Sequence, residues 1–199
     1  MNNEKLKPVL EALFAAADRP LSVSQIFDLF SGDIDQPTRD DIRKAILELG
    51  EQYRDSGLEL KQVASGFRFQ VKPAYESWVS RLWEQKPPSY SRAMMETLAL
   101  IAYRQPITRG EIEDIRGVSV HTNMIKSLQE REWVKSIGHK DIPGRPTLYG
   151  TTRSFLDYFN IKSLNELPSL AEISDLDRYT PEFTFVEKSD TEIPSPLAD

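Results

Sequence analysis

The 199-residue chain contains no cysteine and only two histidines, His121 and His139. The absence of cysteine excludes disulfides, thiolate metal sites and a cysteine nucleophile. Neither histidine has a helical i, i+4 partner or a neighbouring ligand pattern, so no metal or other cofactor is expected. The sequence also lacks a run of 18 apolar residues and an apolar N-terminal signal stretch, which predicts a cytoplasmic protein without a membrane span.

The chain has no glycine-rich phosphate loop, and Gly144-Arg145-Pro146 is an isolated tripeptide. Acidic pairs such as Asp40 with Asp41 occur at predicted helix starts, where their ordinary role is to complement the helix dipole. These absences predict that the protein is not an enzyme. A hydrolase that uses buried carboxylates remains an alternative, and it requires a closed pocket with strongly perturbed pKa values.

Charge is distributed unevenly along the chain, whose net charge is -6. Residues 1–88 carry 12 basic and 14 acidic side chains, and residues 89–160 carry 10 and 8. Residues 161–199 carry 3 basic and 9 acidic side chains, so the acidity lies in the tail. A nearly neutral body lacks the strongly basic surface that is typical of a dedicated DNA-binding protein.

The most informative stretch is ETLALIAYRQPITRGEIEDIRG at 96–117, and a similar order of features lies 86 positions earlier. In each copy a helix stops at a proline, and a second helix then begins with an N-cap, a capping box and a hydrophobic staple. The residues Pro20, Leu21, Ser22, Gln25 and Ile26 align without a gap with Pro106, Ile107, Thr108, Glu111 and Ile112. This agreement indicates an internal duplication.

Each copy continues in the order of a winged-helix domain. The periodicity predicts helices at 4–17, 22–30 and 38–54 and a hairpin over 58–72. For the second copy it predicts a helix over 94–103 that is buried all round, a short helix ended by Gly117, and a helix from an N-cap at Ser119 to about Glu132. Strands at 134–137 and 148–151, a closing helix at 153–160 and a last turn at 163–168 follow.

The predicted fold class is therefore mainly α with small β wings (α+β), arranged as two tandem winged-helix domains. The expected boundaries are an N-terminal domain at 1–86, a linker at 87–90, a C-terminal domain at 91–168 and an acidic, mostly disordered tail at 169–199.

Residues 74–85 are predicted to form one 12-residue helix with a continuous apolar face. That face either packs on its own domain or forms a subunit interface, since one small domain has limited room to bury two tryptophans. The residues assigned to a dimer interface are Tyr75, Trp78, Leu82 and Trp83.

DNA binding as a winged-helix transcription regulator is the alternative function. The third helix of the second copy offers His121, Thr122, Asn123, Lys126 and Arg131 to a DNA groove. Its wing adds Lys135, Lys140 and Arg145, but nearby carboxylates reduce the positive charge of this surface. Arg145 has two interpretations: it enters a minor groove, or it pairs with a carboxylate and locks the hairpin. Weak contact with DNA phosphates is a further alternative, in addition to protein binding.

Residues 91–168 resemble the segregation and condensation protein B family. The matching pieces are the 96–117 stretch, IKSLQEREWVKSIGHKDIPGRPTLYGTT at 125–152 and FLDYFNIKSLNELP at 155–168, with a looser match through LEALFAAADRPLSVSQI at 10–26. The resemblance implies a non-catalytic accessory subunit of bacterial condensin, important for chromosome condensation and partition in the cell cycle and associated with the nucleoid. It also implies a homodimer, formed mainly through the N-terminal domain.

The partner implied by the resemblance is the kleisin, segregation and condensation protein A, which bridges the heads of the structural-maintenance-of-chromosomes ATPase. No family motif assigns the contacts residue by residue. The candidate contact residues in the second copy are polar or aromatic and have no evident role in the core. They are Arg104, Arg109, Arg116, His139, Arg145 and Tyr149.

Overall fold

The computed structural model describes residues 3–82 and 90–169, which are called the first unit and the second unit below. The first unit begins with three helices and continues into a β-hairpin. The elements are α1 (Asn3–Ala16), α2 (Val23–Leu29), α3 (Arg39–Gln52), β1 (Leu58–Val63) and β2 (Gly66–Val71). This is the predicted winged-helix order.

Two capping boxes fix where α2 and α3 begin. The Ser22 hydroxyl accepts a hydrogen bond from the Gln25 amide at 3.2 Å, and the Gln25 side chain accepts one from the Ser22 amide at 2.9 Å. Thr38 and Asp41 repeat the arrangement at the start of α3. Each box satisfies two backbone N–H groups that a helix start leaves without partners. The predicted start of each helix is confirmed.

The first unit has one hydrophobic core, formed where α1, α2 and α3 pack together. Its buried residues are Leu6, Leu10, Phe14, Ile26, Phe30, Ile42, Ala45, Ile46 and Leu49. The hairpin closes over this core, with Leu58 opposite Val71 and Val63 opposite Gly66. An isolated bridge joins Leu21 to Phe67 through backbone hydrogen bonds of 2.8 and 2.9 Å, which ties the start of α2 to the hairpin.

The predicted single helix over 74–85 is wrong for its described part. The chain forms a 3-10 turn at Pro73–Tyr75, one α-helical turn, α4, at Glu76–Val79, and another 3-10 turn at Ser80–Leu82. The turn at Pro73–Tyr75 and helix α4 have no side-chain N-cap hydrogen bond, and none of the three turns buries a side chain. Helical stability comes mainly from packing an amphipathic face, and here Trp78 and Leu82 of that face are mostly exposed.

The second unit repeats the plan with a larger sheet. Its elements are α5 (Arg92–Arg104), β3 (Ile107–Thr108), α6 (Arg109–Arg116), α7 (Thr122–Glu130), β4 (Val134–His139), β5 (Thr147–Thr151) and α8 (Arg153–Tyr158), followed by a 3-10 turn at Leu164–Glu166. The antiparallel strands lie in the order β3-β5-β4. The predicted α+β class with small β wings is confirmed. Strand β3, which adds a third member to the sheet, was not predicted.

The start of α6 confirms the second copy of the cap. The Thr108 hydroxyl accepts from the Glu111 amide at 3.3 Å, and the Glu111 carboxylate accepts from the Thr108 amide at 2.8 Å. Ile107 and Ile112 are both buried, as the staple requires. Gly117 ends α6 in the left-handed region, with φ at 69°.

Two details of the second unit differ from the predictions. Helix α5 is buried on one side only, because Glu96 and Ala99 are exposed. Helix α7 begins at Thr122 with His121 as its N-cap residue, so the predicted cap at Ser119 is wrong. The reason is Val120, which is fully buried and whose amide donates to the Glu113 carboxylate at 2.8 Å. These contacts hold the segment extended past Ser119.

The predicted linker falls largely outside the described residues, as do Trp83 and residues 170–199 of the predicted tail. Tyr90, the last predicted linker position, packs on Trp133 with ring centroids 5.1 Å apart. The core of the second unit contains Met94, Leu98, Ile101, Ile107, Ile112, Val120, Ile125, Leu128, Trp133, Val134 and Phe155. In the part of the chain that the structure describes, no helix has the length and apolar character needed to cross a membrane.

Candidate partner-binding site

Three large apolar side chains of residues 73–82 are exposed to solvent. Tyr75 is 44% exposed, Trp78 is 63% exposed and Leu82 is 76% exposed. The interpretation that this segment packs on its own domain is therefore wrong for Trp78 and Leu82, whereas Tyr75 is more than half covered and its ring lies beside Gly57. Exposed apolar side chains that follow one another along a short segment are a feature of protein-binding surfaces. The assignment of Tyr75, Trp78, Leu82 and Trp83 to a dimer interface stays a prediction.

Arg116, one of the six candidates for partner binding, has an internal role. Its guanidinium donates to the Glu96 carboxylate at 3.1 Å and to the Thr97 hydroxyl at 3.3 Å, and only 10% of its side chain is exposed. These bonds hold α6 against α5. The prediction that Arg116 has no role in the core is therefore wrong.

Arg109 is also engaged within the second unit. Its Nε lies 3.0 Å from the Glu113 carboxylate, and its Nη1 donates to the Thr122 hydroxyl at 2.9 Å. The same Glu113 carboxylate accepts from the Val120 amide, and these two hydrogen bonds hold the pKa of Glu113 below its usual value. Arg109 thus fixes the connection between α6 and α7.

The remaining four candidates lie on different elements. Arg104 is exposed at the last position of α5. Tyr149 is half-buried in the central strand β5, where it lies opposite Ile107 and Ser136 and packs against the core. His139 ends β4 and Arg145 lies in the following loop, and both are exposed. A partner that contacts all four would have to extend over the helix end, the sheet and the wing.

The wing loop is held in place by Lys140. Its Nζ lies 2.5 Å from the Glu111 carboxylate, which joins the loop to the start of α6. The backbone of the loop is closed by the Lys140 amide, which donates to the Pro146 carbonyl, and by the Arg145 amide, which donates to the Ile142 carbonyl, each at 2.9 Å. Arg145 forms no ion pair with the carboxylates of the described residues, so they do not support the interpretation that Arg145 locks the hairpin.

Glu111 is the most strongly perturbed carboxyl group of the second unit. The hydrogen bond from Lys140, followed by those from the backbone and side chain of Thr108, lowers its pKa to about 2. Ordinary glutamate has a pKa near 4.5. The carboxylate therefore serves at once as helix cap and as anchor of the wing. Sequence reasoning identified the cap, but no local pattern connects Glu111 with a lysine 29 positions away.

The lowered pKa of Glu111 predicts a specific pH dependence. Its contribution to folding is complete above pH 4.5 and is lost as the pH falls towards 2, because the unfolded chain binds the proton first. In Glu111→Gln the amide retains the capping geometry but loses the charge. Because this side chain is 38% exposed, solvent screens the pair, and we expect a loss of about 0.5–1 kcal/mol at pH 7.

Thermal unfolding between pH 2 and 7 measures this effect. The difference between the melting temperatures of the wild type and Glu111→Gln should become smaller below pH 4.5. Glu130→Gln is the matched control, because Glu130 is exposed and its ion pair with Lys126 is longer, at 3.7 Å. An equal and constant gap for both variants would contradict the role assigned to Glu111.

The cations that favoured DNA binding are mostly engaged within the protein. Lys126 pairs with Glu130, Lys140 pairs with Glu111, and the Arg131 guanidinium lies over Tyr90 at 5.0 Å. In the first unit, Arg43 pairs with Asp40 and Arg54 with Glu51. Engaged side chains are less available to replace counterions on phosphates. The structure does not favour the DNA-binding alternative.

An open depression of about 410 Å³ lies between the start of α5 and α7. It is lined by Ser91, Met94, His121, Asn123, Met124 and Ser127. The lining contains no carboxylate, so it does not form the buried acidic pocket that a hydrolase of the kind considered above requires. Within the described residues, no three or more histidine, cysteine, aspartate or glutamate side chains form a group suited to a metal ion.

Comparison with known proteins adds a family match over most of the chain. A family model described as segregation and condensation complex subunit ScpB matches residues 8–170. A segregation and condensation protein B homolog of Coxiella burnetii is 49% identical over 184 residues, which are 92% of this chain and 87% of that protein. Segregation and condensation protein B of Syntrophotalea carbinolica is 38% identical over 187 residues, which are 93% and 92% of the two chains.

Among solved structures, a dimer of the ScpB N-terminal domain complexed with ScpA peptide is 25% identical to this chain. The match covers 40% of this chain and 96% of that chain, with a TM-score of 0.36. The region matched by the family model includes the second unit and residues 8–82 of the first unit.

Proposed function

The chain belongs to the segregation and condensation complex subunit ScpB family, and we propose that it acts as a homodimer that binds the kleisin of that complex. In this proposal it is a non-catalytic accessory subunit in chromosome condensation and segregation. It works in the cytoplasm on the nucleoid and reaches the structural-maintenance-of-chromosomes ATPase through the kleisin. The proposed domains are 1–86 for dimerisation and 91–168 for kleisin binding, joined by 87–90.

The observation that carries the proposal is the exposed apolar surface at Tyr75, Trp78 and Leu82. Aromatic anchors are enriched at the centre of protein interfaces, where they gain most from desolvation. The surface belongs to the first unit, directly before the connection to the second unit. A second copy that covers it supplies the packing that residues 73–82 lack within one chain.

Kleisin binding is proposed for the second unit because exposed candidate side chains lie on a rigid frame there. Arg104, His139 and Arg145 are exposed, and the wing that carries the latter two is anchored by Lys140 and Glu111. A preorganised surface loses less conformational entropy when a partner binds. Arg109, Arg116 and Tyr149 contribute to that frame through their contacts within the unit.

Light scattering of the full chain, alone and mixed with the kleisin of the same cell, tests both parts of the proposal. The chain alone should have twice the monomer mass, and the mixture should form a complex with two copies of this chain per kleisin. A monomeric mass at micromolar concentration would contradict the proposed homodimer. Separate elution of the two proteins would contradict the proposed kleisin binding.

The proposed dimer surface predicts that substitutions at Trp78 and Leu82 weaken dimerisation. Trp78→Ala should raise the dimer dissociation constant by about tenfold, since a central aromatic anchor is lost. Leu82→Ala should raise it by a smaller factor. Leu47→Ala is the matched control for Leu82, because Leu47 is 71% exposed on α3, outside this surface. Sedimentation over a dilution series measures the constants, and an unchanged constant for Trp78→Ala would contradict the interface.

A further inference from the structure

Three hydrogen bonds join the first unit to the second. The Ser65 amide donates to the Asp157 carboxylate at 2.9 Å. The Nη2 of Arg68 donates to the Asp157 carbonyl at 2.9 Å and to the Asn160 side-chain oxygen at 2.7 Å. Ser65 lies in the turn between β1 and β2, and Arg68 lies in β2, so the tip of one wing meets the end of the last helix of the other unit.

The end of α8 has a recognisable geometry. The Asn160 amide donates to the Asp157 carbonyl at 3.3 Å, and the Ile161 amide donates to the Leu156 carbonyl at 3.0 Å. Asn160 has φ at 58°, in the left-handed region that asparagine tolerates better than most residues. These features form a Schellman motif with asparagine in place of the usual glycine. The Asp157 carbonyl, which accepts from the Asn160 amide in this motif, also accepts the hydrogen bond from Arg68.

We propose that Arg68 is a C-terminal cap supplied to α8 by the other unit, and that it couples the stability of the second unit to the folding of the first. The last carbonyls of a helix lack intrahelical partners and carry partial negative charge, which a cation stabilises. A guanidinium that donates to a carbonyl and to an amide oxygen satisfies both requirements. The bond from the Ser65 amide to the Asp157 carboxylate aligns the two elements.

Burial around Arg68 supports a fixed contact. Its Nε is buried and has no hydrogen-bond partner among the described residues. A buried donor without a partner is unfavourable, so the side chain stays in this position because its Nη2 makes two hydrogen bonds across the contact. An arginine without a positioned acceptor would extend into solvent and hydrate all of its donors.

The helix that Arg68 caps holds the aromatic cluster of the second unit. Phe155 is buried, and the rings of Tyr158 and Phe159 lie 4.5 and 5.7 Å from the Trp133 ring. Fraying of α8 therefore loosens the packing around Trp133. Through this connection, a residue of the first unit affects the core of the second.

Hydrogen exchange of the full chain tests the coupling. In Arg68→Ala the backbone amides of residues 156–161 should exchange about tenfold faster, the factor expected for loss of hydrogen bonds from a charged donor. Arg43→Ala is the matched control, because Arg43 is an exposed arginine of the first unit that pairs only with Asp40. It should leave residues 156–161 unchanged. Unchanged exchange of this segment in Arg68→Ala would overturn the proposal.

A reciprocal variant covers the case in which Arg68→Ala unfolds the first unit. Asn160→Gly keeps the left-handed backbone and removes only the side-chain acceptor. It should accelerate exchange in residues 65–68 of the first unit by several-fold while α2 and α3 remain protected. If residues 65–68 exchange as in the wild type, the contact does not couple the units and the proposal is wrong.

Discussion

Replacing Gly66 with alanine should destabilise the first unit by about 3–5 kcal/mol. Gly66 has φ at +148°, a conformation that costs an L-residue roughly 1–3 kcal/mol. A Cβ atom at this position overlaps the carbonyl carbon and oxygen of Leu21 and lies 2.6 Å from the amide nitrogen of Ser22. Backbone atoms cannot move aside as a flexible side chain does, so the hairpin must separate from the segment before α2.

The separation breaks the two backbone hydrogen bonds between Leu21 and Phe67, which adds about 1 kcal/mol for each. Urea unfolding followed by far-UV circular dichroism measures the total. Gly32→Ala is the matched control: Gly32 also has positive φ, at +95°, but nothing lies within 4 Å of the added Cβ. It should cost only about 1–2 kcal/mol. Similar losses for both variants would show that the close approach to Leu21 is unimportant.

Trp133→Ala should destabilise the second unit by about 3–5 kcal/mol, the range found when a large buried aromatic is truncated. Trp133 is only 4% exposed, and its ring lies 5.1 Å from Tyr90 and 4.5 Å from Tyr158. The Tyr90 and Tyr158 hydroxyls are 3.2 Å apart, and this hydrogen bond raises the pKa of Tyr158 to about 12. Trp133 lies between Tyr90 and Tyr158, so the variant removes the ring that both tyrosines contact.

Calorimetry of the full chain measures this loss. Trp133→Phe retains an aromatic ring and should lose less than half as much stability as the alanine variant. The first unit should be affected little, apart from the contact at α8. A loss below about 1 kcal/mol for Trp133→Ala would contradict the central position of this residue in the core.

Features that depend on nearby residues were predictable from the sequence. The caps at Ser22, Thr38 and Thr108 each need only two residues three positions apart, and all three occur as predicted. The cores followed from the spacing of apolar residues. The predicted strands at 134–137 and 148–151 correspond to β4 and β5.

Features that depend on distant residues were not predictable. The prediction of a cap at Ser119 was wrong because the Val120 amide donates to Glu113, which lies seven positions earlier and outside the three-residue spacing of a capping box. The prediction of one helix over 74–85 was wrong because the side chains of its apolar face, such as Trp78 and Leu82, are mostly exposed within the unit. In the candidate site, Arg116 and Lys140 resembled free surface cations, and only the fold brings Glu96 and Glu111 to them.

The position of the exposed apolar surface has a geometric consequence for the proposed complex. Leu82 and Tyr90 are eight residues apart, a distance that an extended chain spans in at most about 29 Å. Two chains that meet at Trp78 therefore keep their second units tethered close to one symmetry axis. A single kleisin segment that contacts one copy finds the other at an effective concentration in the millimolar range, which raises avidity without any additional contact.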